Sequence, residues 1–107
     1  MHITVKREEL LKPLGIVAGV VERRQTLPIL SNIMLRYNGK ELALTGTDLE
    51  VEISAQISCK GGDSGEMTVP ARKLHDICRA LPNEALIDIS LEKEKALIKS
   101  GKSRFRL

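Results

Sequence analysis

The sequence predicts an α+β domain in which two helices pack on one side of an antiparallel sheet. Three observations predict this fold class: two segments with the helical spacing of apolar residues, several segments in which apolar and polar residues alternate, and an Asn38-Gly39 hairpin turn between two of the latter. The length of 107 residues allows one domain of this kind. We expect the element order β-α-β-β-β-β-α-β-β-β.

The first helix follows a short strand from His2 to Val5. Its apolar stripe repeats at spacings of four, three and four residues, and consists of Leu10, Leu14, Val17 and Val21. Pro13 interrupts this pattern, so the helix either begins late or bends there. The opposite side carries Glu8, Lys12, Gly15 and Gly19. The two glycines are either merely tolerated or allow another surface to approach closely.

Strands are predicted on both sides of Asn38-Gly39, and again from Leu49 to Ile57, where alternation is most regular. A glycine-rich loop from Cys59 to Glu66 and a brief strand from Met67 to Val69 follow.

The second helix is expected between Pro70 and Pro82-Asn83, with an apolar stripe made of Leu74, Ile77, Cys78 and Leu81. Because successive helical residues are rotated by about 100°, Arg72 and Arg79 project from nearly the opposite side. Three strands follow, and the last continues to Leu107 without a cap, a turn or a polar tail. We therefore expect the chain to be a fragment of something longer.

Composition excludes several classes of protein. The formal net charge is +3, with 42% apolar and 29% charged residues, as in ordinary soluble domains. No apolar run approaches the roughly 20 residues that cross a bilayer, and the N-terminus lacks the apolar core of a signal peptide, so neither membrane insertion nor secretion is expected. Tyr37 and Phe105 are the two aromatic residues of the chain, too few for a module that stacks single-stranded bases.

The metal-binding and nucleophilic residues do not form a recognisable motif. Cys59 and Cys78 lack a CxxC spacing, and with the two scattered histidines they do not match a zinc site. We expect free thiols in a reducing compartment, although a disulfide stays possible on sequence grounds. No metal, cofactor or catalytic residue is predicted.

Three carboxylates are the strongest candidates for chemistry. Asp48, Glu50 and Glu52 lie two residues apart, so an extended strand places them on one face, where they could hold Mg²⁺ or act as acid and base. The plainer interpretation is the solvated face of a half-buried strand, because active sites gather ligands from several segments. A small enzyme that uses these carboxylates stays an alternative.

The basic residues are more informative. Arg23 and Arg24 follow the first helix, Lys12 lies on its free side, and Arg72 and Arg79 lie on the second helix. If both helices share one side of the sheet, the molecule has a basic helical surface and a partly acidic sheet surface. Arginines without carboxylates opposite them suit phosphate oxygens and sequence-independent binding, although a solvated charged face explains them equally well.

Four strings and the opening segment resemble the first domain of the bacterial DNA polymerase III beta subunit, the sliding clamp family. The strings are Thr26-Leu-Pro-Ile-Leu30, Leu44-Thr-Gly-Thr-Asp-Leu-Glu50, Val69-Pro-Ala-Arg-Lys73 and Ser100-Gly-Lys-Ser-Arg-Phe105, after an opening Ile3-Thr-Val-Lys-Arg-Glu-Glu-Leu-Leu-Lys-Pro-Leu14. They occur in the family's order and span Met1 to Leu107 without a large gap. The resemblance implies that residues 1–107 are a first domain, slightly truncated at its C-terminal end.

The same resemblance implies a function. The family forms a ring of two chains, each with three similar domains, whose helices line a channel around duplex DNA. It implies a non-catalytic processivity factor of DNA replication in the cytoplasm, which tethers the replicative polymerase. Polymerase and clamp loader would bind domains that are absent here. The alternative is a free-standing basic DNA-binding or scaffold module that forms no ring.

The resemblance also implies roles for particular residues. The family's DNA contacts carry over onto Arg24 and Arg72, and helix geometry adds Lys12, Arg23 and Arg79. In the family, the third domain of the partner chain packs head-to-tail on the second helix and the last strand. That interface would contain an apolar patch of Ile77, Leu81, Phe105 and Leu107. Its acidic partners would pair with Lys73, Lys102 and Arg104.

Overall fold

The computed structural model describes residues 1–22, 32–47, 52–92 and 95–107. Its elements are, in chain order, β1 (His2–Lys6), α1 (Arg7–Glu22), β2 (Asn32–Tyr37), β3 (Glu41–Thr47), β4 (Glu52–Ser58), β5 (Lys60–Gly61), β6 (Gly65–Pro70), α2 (Ala71–Ala80), β7 (Leu86–Glu92), β8 (Lys95–Ser100) and β9 (Ser103–Arg106). The α+β class is confirmed. None of the helices in these ranges has the length and hydrophobicity needed to span a bilayer.

The strands form two antiparallel sheets where the sequence predicted one. The four-stranded sheet has the order β4-β3-β2-β6 and the five-stranded sheet the order β5-β1-β7-β8-β9. Two βαβββ units, β1-α1-β2-β3-β4 and β6-α2-β7-β8-β9, thus exchange their first strands, since β6 pairs with β2 and β1 pairs with β7. Alternation in the sequence predicts the two faces of a strand but not its partner, so it does not distinguish one sheet from two.

Both helices bury most of the apolar stripes that the sequence predicts, although Ile77 is only half-buried and the side chain of Val21 lies outside the described residues. Leu10, Leu14 and Val17 of α1 are fully buried, as are Leu74 and Cys78 of α2. Helix α1 already begins at Arg7 and includes Pro13, so it does not begin late. Helix α2 follows Pro70 directly. The helices and the inner faces of both sheets contribute to one hydrophobic core.

The segment after β4 contains a short strand that the sequence analysis assigned to a loop. Lys60 and Gly61 form β5, which pairs with Thr4 and Ile3 of β1. A Cβ atom at position 61 would collide with the backbone carbonyl oxygen of His2, so only glycine fits this pairing. The predicted alternation of β4 is present at residues 54–57, while residues 48–51 lie outside the described residues.

Candidate nucleic-acid interface

The two helices lie side by side and run in opposite directions. The Arg7 guanidinium, at the start of α1, donates from Nε to the carbonyl oxygen of Cys78 near the end of α2, at 2.8 Å. Further along α1, a Cβ atom on Gly15 would lie 3.3 Å from Nε2 of His75. Gly15 therefore permits the close approach that the sequence left open, whereas Gly19 faces open space. Because the apolar stripes of both helices pack into the same hydrophobic core, the two helices form a single layer.

The outward side of this layer carries three of the predicted DNA contacts. Lys12, Arg72 and Arg79 are all exposed. Arg72 and Arg79 are seven residues apart, so they lie within about 20° of each other around α2. In the described ranges, neither arginine belongs to an ion pair. Within the described residues, no carboxylate therefore competes with an anion for either guanidinium group.

The N-terminal end of α2 adds to this positive surface. Pro70 is its N-cap residue and makes no side-chain capping bond, and the first turn contains no acidic residue. Arg72 and Lys73 occupy that turn instead. Because the helix dipole already makes this end positive, cations here oppose helix stability but favour a phosphate group bound to the free N–H groups.

Some predicted site residues are not placed. Arg23 and Arg24 lie outside the described residues, as do Asp48 and Glu50, so their roles stay predictions. The structure describes the backbone of Glu52 in β4 but not its side chain. Within the described part of the chain, no three His, Cys, Asp or Glu side chains approach closely enough to hold a metal ion.

The residues predicted for the ring interface lie on α2 and around β9. Strand β9 forms an edge of the five-stranded sheet. The exposed cations of this set are Lys73, Lys102 and Arg104, and its half-buried apolar residues are Ile77, Phe105 and Leu107. Leu81 is only 7% exposed and packs in the core, so it has little surface to offer a partner. Arg104 and Phe105 point to opposite faces of β9.

The sheet surface differs from the expectation. The cross-strand registers place six exposed cations and two carboxylates on the outer face of the five-stranded sheet. Of the predicted acidic row, the structure describes only the backbone of Glu52, in β4 at the edge of the other sheet. The expected acidic character therefore does not apply to the five-stranded sheet.

Arg7 is the structural residue that sequence reasoning missed. It positions the end of α2 on which Arg79 lies, through hydrogen bonds to the carbonyl oxygens of Cys78 and Arg79. The one available signal was an arginine at the start of a helix, where the dipole disfavours a cation. That signal does not identify a partner more than seventy residues away.

Residues 1–107 match a family model described as DNA polymerase III beta subunit, N-terminal domain. The chain belongs to this family. It is 60% identical to the beta sliding clamp of Pseudomonas putida and 51% identical to that of Escherichia coli, in each case over the whole of this chain. It spans 29% and 30% of the length of those relatives.

Solved structures of the beta subunit share the fold. The DNA polymerase III subunit beta of Pseudomonas aeruginosa superimposes with a TM-score of 0.95 at 58% identity, and the Caulobacter crescentus pol III beta with 0.94 at 42% identity. Both cover the whole of this chain, which corresponds to 29% and 30% of theirs. The interlocked βαβββ units are thus the fold of a clamp domain.

Proposed function

We propose that this chain is the first of three domains of a sliding clamp, a non-catalytic ring of two chains that encircles duplex DNA. The ring slides along DNA in the cytoplasm and tethers the replicative polymerase, which binds with the clamp loader to other domains. Family membership and the beta sliding clamp relatives support the proposal. The main structural support for the proposal is the helical layer, which presents Lys12, Arg72 and Arg79 on one exposed surface.

The chemistry of this surface suits sliding. Arginine and lysine bind phosphate oxygens without reading bases, so binding does not depend on sequence. Base-specific recognition needs a helix that enters the major groove with several polar side chains. Helix α2 is only ten residues long and buries Ala71, Leu74 and Cys78 in the domain. A few exposed cations hold DNA weakly, which lowers the barrier to each sliding step.

The size of the domain explains why a ring is needed. Its radius of gyration is 12.8 Å and its extents are 36 × 27 × 25 Å. A compact body of this size cannot itself encircle a duplex, so several must join around the DNA. The edge strand β9 offers unpaired backbone groups for such a junction. Phe105 and Leu107 beside it provide apolar surface for the second chain.

The DNA contacts are tested in the full-length clamp chain with the double variant Arg24→Ala and Arg72→Ala. We expect weaker clamp loading and no change in folding. The logarithm of the DNA-binding constant should also fall less steeply with the logarithm of the salt concentration, with a slope that is smaller by about 0.9 for each phosphate that is no longer neutralised. Arg36→Ala is the matched control, because Arg36 is exposed on β2 and pairs with Glu66. Loading equal to that of the wild type would contradict the assignment. Tight stoichiometric DNA binding by residues 1–107 alone would instead favour a free-standing module.

The ring interface is tested in the full-length chain with Phe105→Ala. Truncating this half-buried aromatic ring removes apolar contact area from the proposed junction, so the dimer should dissociate to monomers at a higher protein concentration. Sedimentation velocity measures the distribution of the two species. Leu86→Ala serves as a control, because Leu86 is 56% exposed on β7 and lies on the opposite face of the sheet from Phe105. A dimer as stable as the wild type would remove Phe105 from the interface.

A further inference from the structure

The outer face of the five-stranded sheet, called here the basic sheet face, concentrates positive charge. Its cations come from all strands except β7 and are Lys6, Lys60, Lys95, Lys99, Arg104 and Arg106. Asp88 and Glu92 of β7 are its two carboxylates, which leaves a net charge of four. The whole chain has a net charge of only +3. The positive charge of the molecule is thus concentrated on a surface that the proposed DNA channel does not use.

Two cations of this face lie directly opposite its carboxylates, Lys99 opposite Asp88 and Lys95 opposite Glu92. Asp88 accepts a hydrogen bond from the Thr4 hydroxyl and lies 3.8 Å from the His2 imidazole. Among the ion pairs of the described residues, none uses a lysine or arginine of the basic sheet face. Exposed cations this close together repel one another, and a polyanionic partner relieves that repulsion.

A cleft of about 540 Å³ opens at the β1 and β5 side of this face. Its lining includes the apolar side chains of Leu86 and Cys59 together with Lys6 and Lys60. Leu86 is 56% exposed, more than any other large apolar side chain of the described residues. A partly open apolar cleft between two lysines is suited to one apolar side chain flanked by negative charges.

We propose that the basic sheet face binds an acidic segment of a partner protein, with one aliphatic side chain of that segment in the cleft beside Leu86. Carboxylates on both sides of the aliphatic residue would pair with Lys6 and Lys60, and carboxylates further along would reach Lys99 and Arg104. The thiol of Cys59 would serve only as an apolar wall of the cleft.

The chemistry of the face favours a protein segment over nucleic acid. A phosphodiester backbone has no aliphatic side chain to insert beside Leu86, and the described part of this face has no Phe, Tyr or Trp on which a base could stack. Glu9 also lines the cleft, so the negative groups of a partner must lie over Lys6 and Lys60 rather than inside the cleft, which is left to the aliphatic side chain. The cleft residues Lys6, Lys60 and Leu86 belong neither to the proposed DNA contacts nor to the proposed ring interface. The basic sheet face shares only Arg104 with the residues predicted for that interface.

The probe for this proposal is a short synthetic peptide of glutamates around a central leucine, labelled with fluorescein. Binding to residues 1–107 is measured by fluorescence anisotropy, and the location by changes in amide chemical shifts. We expect shifts at Lys6, Lys60 and Leu86, and none at Arg72. The double variant Lys6→Glu and Lys60→Glu should weaken binding about tenfold or more, because each reversal replaces attraction by repulsion.

Two further comparisons test whether the cleft contributes to peptide binding beyond general charge attraction. Leu86→Ser should weaken peptide binding several-fold, and so should a peptide whose leucine is replaced by serine. The matched control Arg72→Glu reverses a charge on the helical layer and should leave peptide binding unchanged. A circular dichroism spectrum equal to the wild type establishes that each variant is folded.

Three outcomes would overturn the proposal. One is no binding of the leucine peptide at millimolar concentration. A second is binding that is indifferent to the leucine and to Leu86→Ser, since the cleft would then play no part. The third is a short DNA duplex that shifts the amides of Lys60 and Leu86 more strongly than the peptide does, which would assign the face to nucleic acid. Impaired DNA loading in the Arg24 and Arg72 variant bears only on the proposed clamp function.

Discussion

The guanidinium of Arg7 caps the C-terminal end of α2, because its Nε donates a hydrogen bond of 2.8 Å to the carbonyl oxygen of Cys78. Its Nη2 donates to the carbonyl oxygen of Arg79 and its Nη1 to Oδ1 of Asn83, both at 3.3 Å. The last carbonyl groups of a helix have no donor within the helix, and a cation near them also complements the helix dipole. Arg7 thus ties the start of α1 to the end of α2 and fixes the position of the helix that carries Arg79.

Replacing Arg7 should destabilise the domain. Its side chain is only 14% exposed, and Arg7→Met would leave the carbonyl oxygens of Cys78 and Arg79 without this donor. We expect the free energy of unfolding to fall by about 2 kcal/mol. Urea unfolding followed by circular dichroism measures the change.

The matched control for this prediction is Arg36→Met. Arg36 pairs with Glu66 at 3.0 Å, but both side chains are more than half exposed, at 63% and 58%. An exposed pair of this kind contributes about 1 kcal/mol or less. Equal effects of the two substitutions would show that Arg7 has no special role at the end of α2.

Glu8 should make the stability of the domain depend on pH. The hydrogen bond from Arg7 to its carboxylate, 2.7 Å long, lowers the pKa of Glu8 below its ordinary value of 4.5. The backbone N–H of Glu84 donates to the same carboxylate at 2.8 Å. The carboxyl group of Glu8 therefore binds a proton more readily in the unfolded chain than in the folded one. The stabilisation is fully present above the pKa that Glu8 has in the unfolded chain, and it is lost as the pH falls through the lower pKa of the folded chain.

The variant Glu8→Gln tests this dependence. Its free energy of unfolding should be lower than that of the wild type at neutral pH, and the difference should shrink as the pH falls below 4.5. Urea unfolding at a series of pH values measures both curves. Glu41→Gln, at an exposed carboxylate of β3, is the control. A difference between Glu8→Gln and the wild type that grows on acidification would contradict the sign of the shift.

The sequence predicted the features that depend on local periodicity. The stripe of α2, its start after Pro70 and its end before Pro82 are all present, because a helix of ten residues is specified by its own spacing and by the prolines beside it. The same holds for the alternation of β4 at residues 54–57 and for the turn at Asn38-Gly39.

The features that the sequence did not predict depend on contacts between distant segments. Strand β5 is identified only by its pairing with β1, almost sixty residues earlier in the chain. The basic sheet face exists because Lys60 and Arg104 fall into one register across five strands. Arg104 belonged to the predicted ring interface, but its place in this row could not be inferred without strand order. Local spacing contains no information about such partners.

The two glycines of α1 should respond differently to replacement by alanine. Among the described residues outside its own helix segment, none comes within 4 Å of a Cβ atom at Gly19. Gly19→Ala should therefore stabilise the domain by about 0.5–1 kcal/mol, because alanine has the higher helix propensity. A Cβ atom at Gly15 would lie 3.3 Å from Nε2 of His75. Gly15→Ala should therefore stabilise the domain less than Gly19→Ala, because the imidazole of His75 must move away from the added methyl group.

A double-mutant cycle separates the gain in helix propensity at position 15 from the cost of the contact with His75. In the background of His75→Ala the contact is removed, so Gly15→Ala should then stabilise as much as Gly19→Ala does. Thermal unfolding of the four chains of the cycle, with Gly19→Ala beside them, measures the coupling free energy. A coupling near zero would show that His75 does not limit the space at Gly15.

The two cysteines should differ strongly in reactivity. Burial raises the pKa of the Cys78 thiol from 9.0 to about 12, and its side chain is fully buried in α2. This shift reduces its thiolate fraction at neutral pH about a thousandfold. Cys59 is half-buried, and its pKa is raised by burial and then by the carboxylate of Glu9. It is therefore slower than a free thiol but far faster than Cys78.

Mass spectrometry after brief treatment with a maleimide tests this difference. The folded wild type should gain one adduct, on Cys59, and the chain unfolded in urea should gain two. The variant Cys59→Ser should gain none while folded. Slow labelling of Cys78 in native buffer should then require opening of the domain. Arg7→Met in the same background should accelerate this labelling about thirtyfold, the factor that corresponds to a loss of about 2 kcal/mol. Equal labelling of both thiols in the folded wild type would show that α2 does not protect Cys78.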